Sequence, residues 1–383
     1  MEEIAFFIGA IGALGAAIAV IAVRNPFYSV LALVIHLVFL AGIFLLLMAQ
    51  FLAAALIVVY AGAVMVLYVF VAAYVGGIEE PKWDSSPELR IVGPIAEFSV
   101  QAPAFLPAEV KGRFERIFLC VKAHHTGDAA RALAPHLADD GYVLSLQNGL
   151  NELTIAEIVG KPRTVGAFVN FGADYLEPGV VTYGGRGACV LGELDGRTTP
   201  RLSALLALMK DFDRDAIITD NIWGYLWGKL GYGALLFVTA LTNDSIADAL
   251  AMPEYGRLYH AVGCEVMAVA AAEKVRCEGF NGFDPGAFVP GADPARLKAS
   301  MDTMVSHNRK STKTHSGIWR DLAVRKRKTE IDAQIAIIGT VARRHGLATP
   351  LIDRLVALIH EIEDGKRPLD RANLAALAAA MKP

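Results

Sequence analysis

Hydrophobic and polar positions divide the chain into two regions of very different character. Between Ile4 and Gly77 the only formally charged residue is Arg24. Three apolar stretches follow one another there: 4–23, 28–49 and 51–75. Each is close to the roughly 20 residues that a helix needs to cross a hydrocarbon core of about 30 Å. The pattern therefore predicts three transmembrane α-helices in a membrane module that covers residues 1–80.

The few polar residues of this module predict its orientation. Arg24 and Pro26 mark the first connection with a positive charge and a helix breaker, whereas the second connection, around Gln50, carries no charge. Positively charged connections remain on the cytoplasmic side. We therefore expect the amino terminus outside, and the chain after Gly77 on the cytoplasmic face of the inner (cytoplasmic) membrane. A secretory signal peptide fits poorly, because two glutamates precede the first stretch.

Small and titratable side chains inside the stretches suggest close helix packing. Gly9, Gly12 and Gly15 follow a GxxGxxG spacing rather than GxGxxG, which favours helix contact over nucleotide binding. His36 is the one titratable side chain well inside a stretch. It is either a functional group or, as we favour, a neutral imidazole hydrogen-bonded to a neighbouring helix.

The third stretch carries the run Val58-Val59-Tyr60-Ala61-Gly62-Ala63-Val64-Met65-Val66-Leu67. Together with the Arg24-Asn25-Pro26 turn, this run closely resembles subunit J of the proton-pumping NADH-quinone oxidoreductase, over roughly residues 1–80. The resemblance implies a local π-type distortion in the third helix and packing against membrane helices of a respiratory complex. Two further spans that the family has are missing here.

A polar, proline-bounded junction at residues 81–87 separates the membrane module from the rest. Beyond it no uncharged run reaches the ~18 residues of another span. The pattern predicts a hairpin at 89–101, a buried strand at 117–121, a helix at 127–138 and a second buried strand at 142–146. From Leu202 helical periodicity dominates, including 222–240 and 316–344. We therefore expect an incomplete, Rossmann-like α/β half-domain at 88–200 and an all-α domain at 201–383.

Composition excludes several classes of function. The 36 basic and 39 acidic residues give a net charge of −3, which argues against nucleic acid as a partner. Four cysteines lack CxxC spacing, so no metal site is predicted and we expect buried thiols in a reducing compartment. The basic run 325–328 offers a site for a cofactor phosphate or an anionic lipid, but a solvated helix face is the favoured interpretation.

Four motifs of the second region resemble ketopantoate reductase. In chain order they are Leu119-Cys120-Val121-Lys122-Ala123, Ser145-Leu146-Gln147-Asn148-Gly149-Leu150-Asn151-Glu152, Trp227-Gly228-Lys229-Leu230 and Thr329-Glu330-Ile331-Asp332. Their order and spacing match that family over roughly residues 88–375. The resemblance implies NADPH-dependent reduction of a small 2-oxo acid such as 2-dehydropantoate, by a protein that forms homodimers.

Lys229 is the predicted general acid. Reducing a ketone by hydride transfer builds an alkoxide, which needs a positioned proton donor in a dry site. Lys229 lies among Trp223, Leu226 and Trp227 on a mostly apolar helix, where desolvation would lower its pKa. An ammonium that reaches solvent from an apolar stem is the alternative interpretation, and the resemblance favours catalysis.

The resemblance also implies roles for further residues. Glu330 holds the substrate hydroxyl and orients the reacting carbonyl. Ser316, or Gly317 after a one-residue shift, contacts the substrate carboxylate. Lys122 and Asn148 end strands at the carboxyl edge of the sheet and surround the cofactor, NADP, and the reacting centre.

Two departures from the family change the picture. The asparagines that follow the catalytic lysine by one and two helical turns are replaced by the 231–237 stretch, with Asn243 the nearest candidate for substrate binding. A bulkier or more apolar substrate than ketopantoate is therefore plausible. After Pro87 there is also no strand with a GxGxxG turn, which is what holds a dinucleotide pyrophosphate.

Three hypotheses follow. The first is a reductase with impaired cofactor binding. The second is a membrane subunit of a respiratory complex, in which the region after the membrane module has no function of its own. The third is a reading frame that joins fragments of two genes.

Overall fold

The computed structural model describes residues 2–23, 26–58, 88–311 and 313–381. The chain divides into two compact units, Met1–Ser85 and Ser86–Pro383. The predictions that rest on Arg24, on the run after Val58 and on the junction at 81–87 concern residues outside the described ranges.

The first unit is helical where it is described. Its helices are α1 (Glu2–Ala22), α2 (Pro26–Leu46) and α3 (Gln50–Ala55), and a π-type turn follows α3 at residues 56–58. Of the described helices, Glu3–Ala22 is the one long and apolar enough to cross a membrane, and Leu31–Leu46 is a shorter apolar helix. An apolar amino-terminal helix is therefore present, while three spans remain a prediction.

Helices α1 and α2 pack as an antiparallel hairpin through small residues. A Cβ added to Gly12 would lie 2.6 Å from the ring of Phe39, so any larger residue here would require that ring to move. The Nδ1 atom of His36 lies 2.9 Å from the carbonyl oxygen of Ala13, a contact in which the ring nitrogen donates. The histidine is thus hydrogen-bonded to the neighbouring helix, and Gly9 and Gly12 lie at the helix contact, whereas a Cβ on Gly15 would meet nothing within 4 Å.

The second unit is built on a twisted sheet of mixed direction. Its described strands are β1 (Glu88–Val92), β2 (Phe98–Gln101), β3 (Phe114–Leu119), β4 (Leu137–Ser145), β5 (Thr164–Glu177), β6 (Val180–Glu193) and β7 (Ile217–Ile218). The strand order is β2-β1-β6-β5-β4-β3, with β7 beside β6. Strands β3, β4 and β5 are parallel, β5 and β6 antiparallel, and β1 and β2 form the expected antiparallel hairpin.

Alternating side chains of the sheet pack against helices on both faces. The helices between the described strands are α4 (Thr126–Leu133), α5 (Asn151–Val159) and α6 (Pro200–Phe212). On one face Val143 packs with Ile155 of α5, and on the other Leu144 packs with Leu202 of α6. Successive residues of a strand point to opposite faces, so both are fully buried. The predicted Rossmann-like α/β arrangement is confirmed.

The helical part follows the sheet. Its helices are α7 (Ile222–Thr239), α8 (Ile246–Leu250), α9 (Gly256–Ala272), α10 (Pro294–Lys310), α11 (Gly317–Trp319), α12 (Ile337–Arg344), α13 (Pro350–Glu363) and α14 (Ala372–Ala378), and Arg320–Val324 and Asp332–Ala336 are π-helical. They share one large core with fully buried side chains such as Tyr259, Phe237 and Phe288. The predicted helical carboxyl-terminal part is confirmed.

Two predicted helices end differently from the expectation. The helix expected at 127–138 stops at Leu133, and a 3-10 turn at Ala134–His136 leads directly into β4. Pro135 in that turn has no N–H to continue an α-helix. The helix expected at 316–344 is interrupted at 325–330, where Lys326 has a φ of 50°.

The interruption has a local cause in a buried carboxylate. Asp321, which is 4% exposed, accepts hydrogen bonds from Arg325 and Arg327, and its backbone carbonyl accepts from the Arg327 N–H. Turning the chain around Asp321 satisfies its charge, which could not stay buried unpaired. The basic run 325–328 therefore lies in a non-helical turn in which Arg325 and Arg327 bind Asp321. The interpretation of this run as a helix face is wrong.

Candidate functional site

Lys229 is held at a point where helix α7 crosses the sheet. The helix begins at an N-cap, Asn221, whose side chain accepts from the Gly224 N–H. A Cβ on Gly228 would lie 2.0 Å from the carbonyl oxygen of Glu278, so glycine lets α7 press against that loop. The Lys229 ammonium donates to the carbonyl oxygen of Val169 at 2.6 Å. The Trp-Gly-Lys sequence thus fixes the lysine against β5.

The surroundings of Lys229 lower its affinity for a proton. Burial lowers the pKa of Lys229 to about 8, and the carboxylates of Glu152 and Glu330 act in the opposite direction. The ring of Phe168 lies 5.4 Å from the ammonium. A lysine that titrates near neutral pH can give up and regain a proton in a catalytic cycle.

Glu152 is a buried carboxyl group that the motif analysis did not single out. It is 0% exposed, and neither of its oxygens, nor the Ser145 hydroxyl near it, has a hydrogen-bond partner in the described structure. Burial raises the pKa of Glu152 to about 7, opposed by its own backbone, by Ser145 and by the charge of Lys229. In the sequence, this buried carboxyl group was visible only as the glutamate at the end of the 145–152 motif.

Glu330 is anchored to the end of strand β3. Its Oε2 accepts from the Lys122 ammonium at 2.7 Å, and its Oε1 accepts from the Ala123 N–H at 2.7 Å. Lys122 also lies 3.9 Å from the buried Asp321. The motif at 119–123 and the motif at 329–332, far apart in sequence, therefore meet through an ion pair.

Ser316 is buried and caps helix α11. Its Oγ accepts from the Trp319 N–H at 3.1 Å, which leaves the hydroxyl hydrogen available to a ligand oxygen. Lys313 lies nearby on the same segment and was not predicted as a site residue. Desolvation lowers the pKa of Lys313, as do Arg320 and Lys122, while Asp174 raises it. Both residues suit recognition of a carboxylate.

One cavity of about 800 Å³ brings most of these groups together. Its lining includes the predicted Lys122, Asn148, Lys229, Ser316, Gly317 and Glu330, and also Lys313. Asn243 is not among the lining residues. Its Nδ2 donates to the carbonyl oxygen of Leu369, and its Oδ1 accepts from the indole N–H of Trp319. Asn243 therefore connects the segment after α7 to Trp319 and to the segment before α14, and its place at the substrate stays a prediction that this lining does not support.

The residues present fit only part of a dinucleotide. Lys122 and Asn148 follow the carboxyl ends of β3 and β4, the edge at which open α/β sheets bind ligands. Strand β3 has β4 on one side and no strand on the other among the described residues, with Phe114 and Phe118 45% and 38% exposed. No GxGxxG turn occurs in residues 88–381. Lys122 and Asn148 would lie near the reacting end of a nicotinamide cofactor, and residues 88–381 contain no GxGxxG turn that would hold its pyrophosphate.

Family models match the chain in three places. The model for NADH-ubiquinone/plastoquinone oxidoreductase chain 6 matches residues 16–126. The model for ketopantoate reductase PanE/ApbA matches residues 85–196, and the model for its C-terminal part matches 221–363. The first and second matches overlap between residues 85 and 126, beyond the 1–80 of the predicted resemblance.

Individual relatives fall into the same two groups. A 2-dehydropantoate 2-reductase of Mesorhizobium japonicum is 26% identical over 299 residues, covering 72% of this chain and 84% of the relative. One from Archaeoglobus fulgidus is 26% identical over 250 residues, covering 65% and 76%. NADH-quinone oxidoreductase subunit J of Escherichia coli is 43% identical over 86 residues, which are 21% of this chain and 47% of that subunit.

Solved structures agree on the fold of the second unit. A PanE/ApbA family ketopantoate reductase from Ralstonia eutropha has a TM-score of 0.61 and 25% identity, covering 73% of this chain and 86% of that one. A D-mandelate dehydrogenase solved with NADH and anilino(oxo)acetate has a TM-score of 0.60 and 22% identity, covering 72% and 85%. In sequence, the chain thus combines a first part similar to subunit J of NADH-quinone oxidoreductase with a larger part similar to both portions of the ketopantoate reductase family.

Proposed function

We propose that the second unit is an oxidoreductase of the ketopantoate reductase type, which reduces a small 2-oxo acid and uses NADPH. The observation that carries the proposal is the meeting of Lys229, Glu330, Lys122, Asn148 and Ser316 around one cavity. Four of these residues come from the four separate motifs, and Ser316 comes from a further segment of the chain. A structural role for each alone would not require them to converge on the same space.

Each group has a defined part in such a reduction. When bound, the nicotinamide supplies the hydride. Lys229 leaves the Val169 carbonyl and donates a proton to the substrate oxygen, which its pKa of about 8 allows near neutral pH. For a hydroxylated substrate such as 2-dehydropantoate, Glu330, fixed by Lys122 and the Ala123 N–H, accepts from the substrate hydroxyl. The Ser316 hydroxyl and the Lys313 ammonium hold the substrate carboxylate.

We also propose that the chain binds NADPH weakly. Pyrophosphate capture in this fold depends on backbone N–H groups and a helix terminus that follow a GxGxxG turn, and side chains do not readily replace them. Fluorescence titration of NADPH with monodisperse, detergent-solubilised full-length protein tests the idea. We expect no saturation at micromolar cofactor and little turnover. Micromolar affinity together with turnover on ketopantoate would contradict it, and would imply that another segment or subunit rebuilds the loop.

A second candidate function concerns the first unit. The glycine-mediated contact between α1 and α2 and the similarity to subunit J support a membrane module that packs against other helices of a respiratory complex. We propose three spans with the second unit in the cytoplasm. A reporter active only in the cytoplasm should function when fused after Gly77 and stay silent when fused after Gln50. A silent reporter after Gly77 in well-expressed protein would exclude this orientation.

The third hypothesis, a reading frame that joins fragments of two genes, requires a test on DNA. One long sequencing read across the codons for Gly77 to Pro87 shows whether the junction exists in the genome. If the junction is absent there, each unit has to be interpreted separately.

A further inference from the structure

Gly233 leaves open space in the cavity wall beside Lys229. The two residues are four positions apart on helix α7 and therefore lie on the same face, and both line the cavity. A Cβ added to Gly233 meets no heavy atom within 4 Å. Gly231 on the same helix differs, since its Cβ would lie 2.7 Å from Phe283 and 2.8 Å from Met267. The helix is thus tightly packed toward the core and has a gap toward the ligand.

Part of the cavity lining is apolar. Leu236 and Phe237 follow Gly233 by three and four positions on α7, and Phe280 lines the cavity with the Tyr232 ring 5.4 Å away in an edge-on arrangement. The aliphatic and phenyl side chains among them bind hydrocarbon and offer no hydrogen bond.

The amide that packs on this wall is already occupied. Asn308 donates from Nδ2 to the Tyr232 hydroxyl oxygen at 2.9 Å and to the Met304 carbonyl oxygen at 2.8 Å. Its hydrogens therefore serve the protein rather than a ligand. The polar atoms left to a ligand on these two residues are the Tyr232 hydroxyl hydrogen and the Asn308 amide oxygen, so a polar substrate side chain would find few replacements for its contacts with water.

Further ammonium groups line the same cavity. Lys310 and Lys313 line it along with Ser316, and Lys122 belongs to the lining as well as Lys229. A ligand with an anionic end toward Lys310 and Lys313 and an apolar end toward Gly233 fits this lining. The reacting carbonyl then falls between the two ends, next to Lys229.

We propose that Gly233 determines substrate choice, and that the site takes 2-oxo acids with a bulky, apolar side chain, either aryl or branched alkyl. This inference rests on the proposed function of the same cavity. Gly233 supplies the volume that the aryl or alkyl group fills, and the neighbouring apolar residues supply its contacts. A substrate with a short side chain leaves the gap unfilled and loses the van der Waals contacts with its lining.

Direct binding to the full-length protein in detergent tests the proposal without relying on turnover. The probes are phenylglyoxylate and pyruvate, measured by calorimetry or ligand-observed NMR. We expect phenylglyoxylate to bind roughly 10-fold or more tightly than pyruvate. Gly233→Leu should fill the gap and weaken phenylglyoxylate by a similar factor, while pyruvate changes little. Leucine is also the better helix former, so the variant should fold.

Gly256→Leu is the matched control. Gly256 also lies in a helix, and a Cβ there also meets nothing within 4 Å, but it is not a lining residue of the cavity. This variant should bind both acids as the original chain does. Equal binding of the two acids by the original chain, or unchanged phenylglyoxylate binding in Gly233→Leu, would overturn the substrate class alone. If neither acid binds, the proposed function fails as well.

Discussion

The Lys122 ammonium donates to Glu330 Oε2 across 2.7 Å and so joins the end of strand β3 to a segment 208 residues further along the chain. The Glu330 side chain is 10% exposed and that of Lys122 is 47% exposed. Such a pair is partly shielded from water, and its attraction is therefore stronger than that of a surface pair. The ion pair helps to bring the α/β part and the helical part together at the cavity.

We expect this pair to be measurable in a double-mutant cycle. Lys122→Met and Glu330→Gln should each lower the free energy of unfolding, and the double variant should lose less than the sum, with a coupling of roughly 1 kcal/mol. Denaturant unfolding followed by tryptophan fluorescence measures it. The exposed pair Arg113 and Asp139 is the control, with an expected coupling near zero. Equal coupling in both pairs would contradict a shielded contact.

Restoring a complete nucleotide-binding front half should reveal the catalytic residues. With such a segment grafted ahead of residue 88, we expect NADPH-dependent reduction of a 2-oxo acid, and Lys229→Ala should then lower turnover by roughly 10² or more because the general acid is lost. Steady-state kinetics measure this, with Lys210→Ala on the exposed face of α6 as the control. Undiminished turnover in Lys229→Ala would remove this lysine from the mechanism.

In the same grafted protein, Glu330→Ala should raise the apparent KM and lower turnover together. A group that anchors the substrate also orients its reacting carbon, so both parameters depend on it. A change in KM alone would reduce Glu330 to a binding residue. The comparison with Glu330→Gln separates loss of the charge from loss of the side chain.

Glu152 should make stability depend on pH in a predictable direction. Burial raises its pKa from 4.5 to about 7, so between these values the folded chain holds a proton that the unfolded chain releases. The contribution of Glu152 to stability is therefore present at lower pH and is lost as pH rises through about 7. Glu152→Gln removes this titration. The Tm of the variant minus the Tm of the original chain should therefore increase between about pH 5 and about pH 7.5.

Thermal unfolding across this pH range measures the difference. The control is Glu157→Gln on the same helix, since Glu157 is exposed and should give a difference in Tm that is nearly constant with pH. A difference in Tm between Glu152→Gln and the original chain that does not change with pH would show that the Glu152 carboxyl group has the same pKa in the folded and the unfolded chain.

The helix hairpin of the first unit offers a matched pair of glycines. A Cβ on Gly12 would collide with Phe39, whereas one on Gly15 meets nothing within 4 Å. Gly12→Val should therefore separate α1 from α2, and Gly15→Val should not. Oxidative cross-linking of a cysteine pair placed at Val20 and Ser29, which are hydrogen-bonded across the hairpin, reports the separation in a background without the native cysteines. Equal cross-linking in both variants would contradict glycine-mediated packing.

Local sequence was sufficient for several features of this protein. The change in hydropathy near residue 80 separated the two regions, because the requirement for apolar residues in a membrane is visible in composition alone. Helix α7 followed from its periodicity, and the four motifs and their order indicated both the Rossmann-like fold and Lys229. The periodicity and each single motif depend on neighbours within a few turns of chain.

Tertiary structure decided what depends on distant partners. Asp321 interrupts a strongly helical pattern because its buried charge draws Arg325 and Arg327 around it. Asn243 is the first asparagine after Lys229 in sequence, yet its amide binds Leu369 and Trp319, neither of which lines the cavity. A buried polar group takes whichever partner the fold brings within about 3 Å, and no sequence pattern encodes that distance.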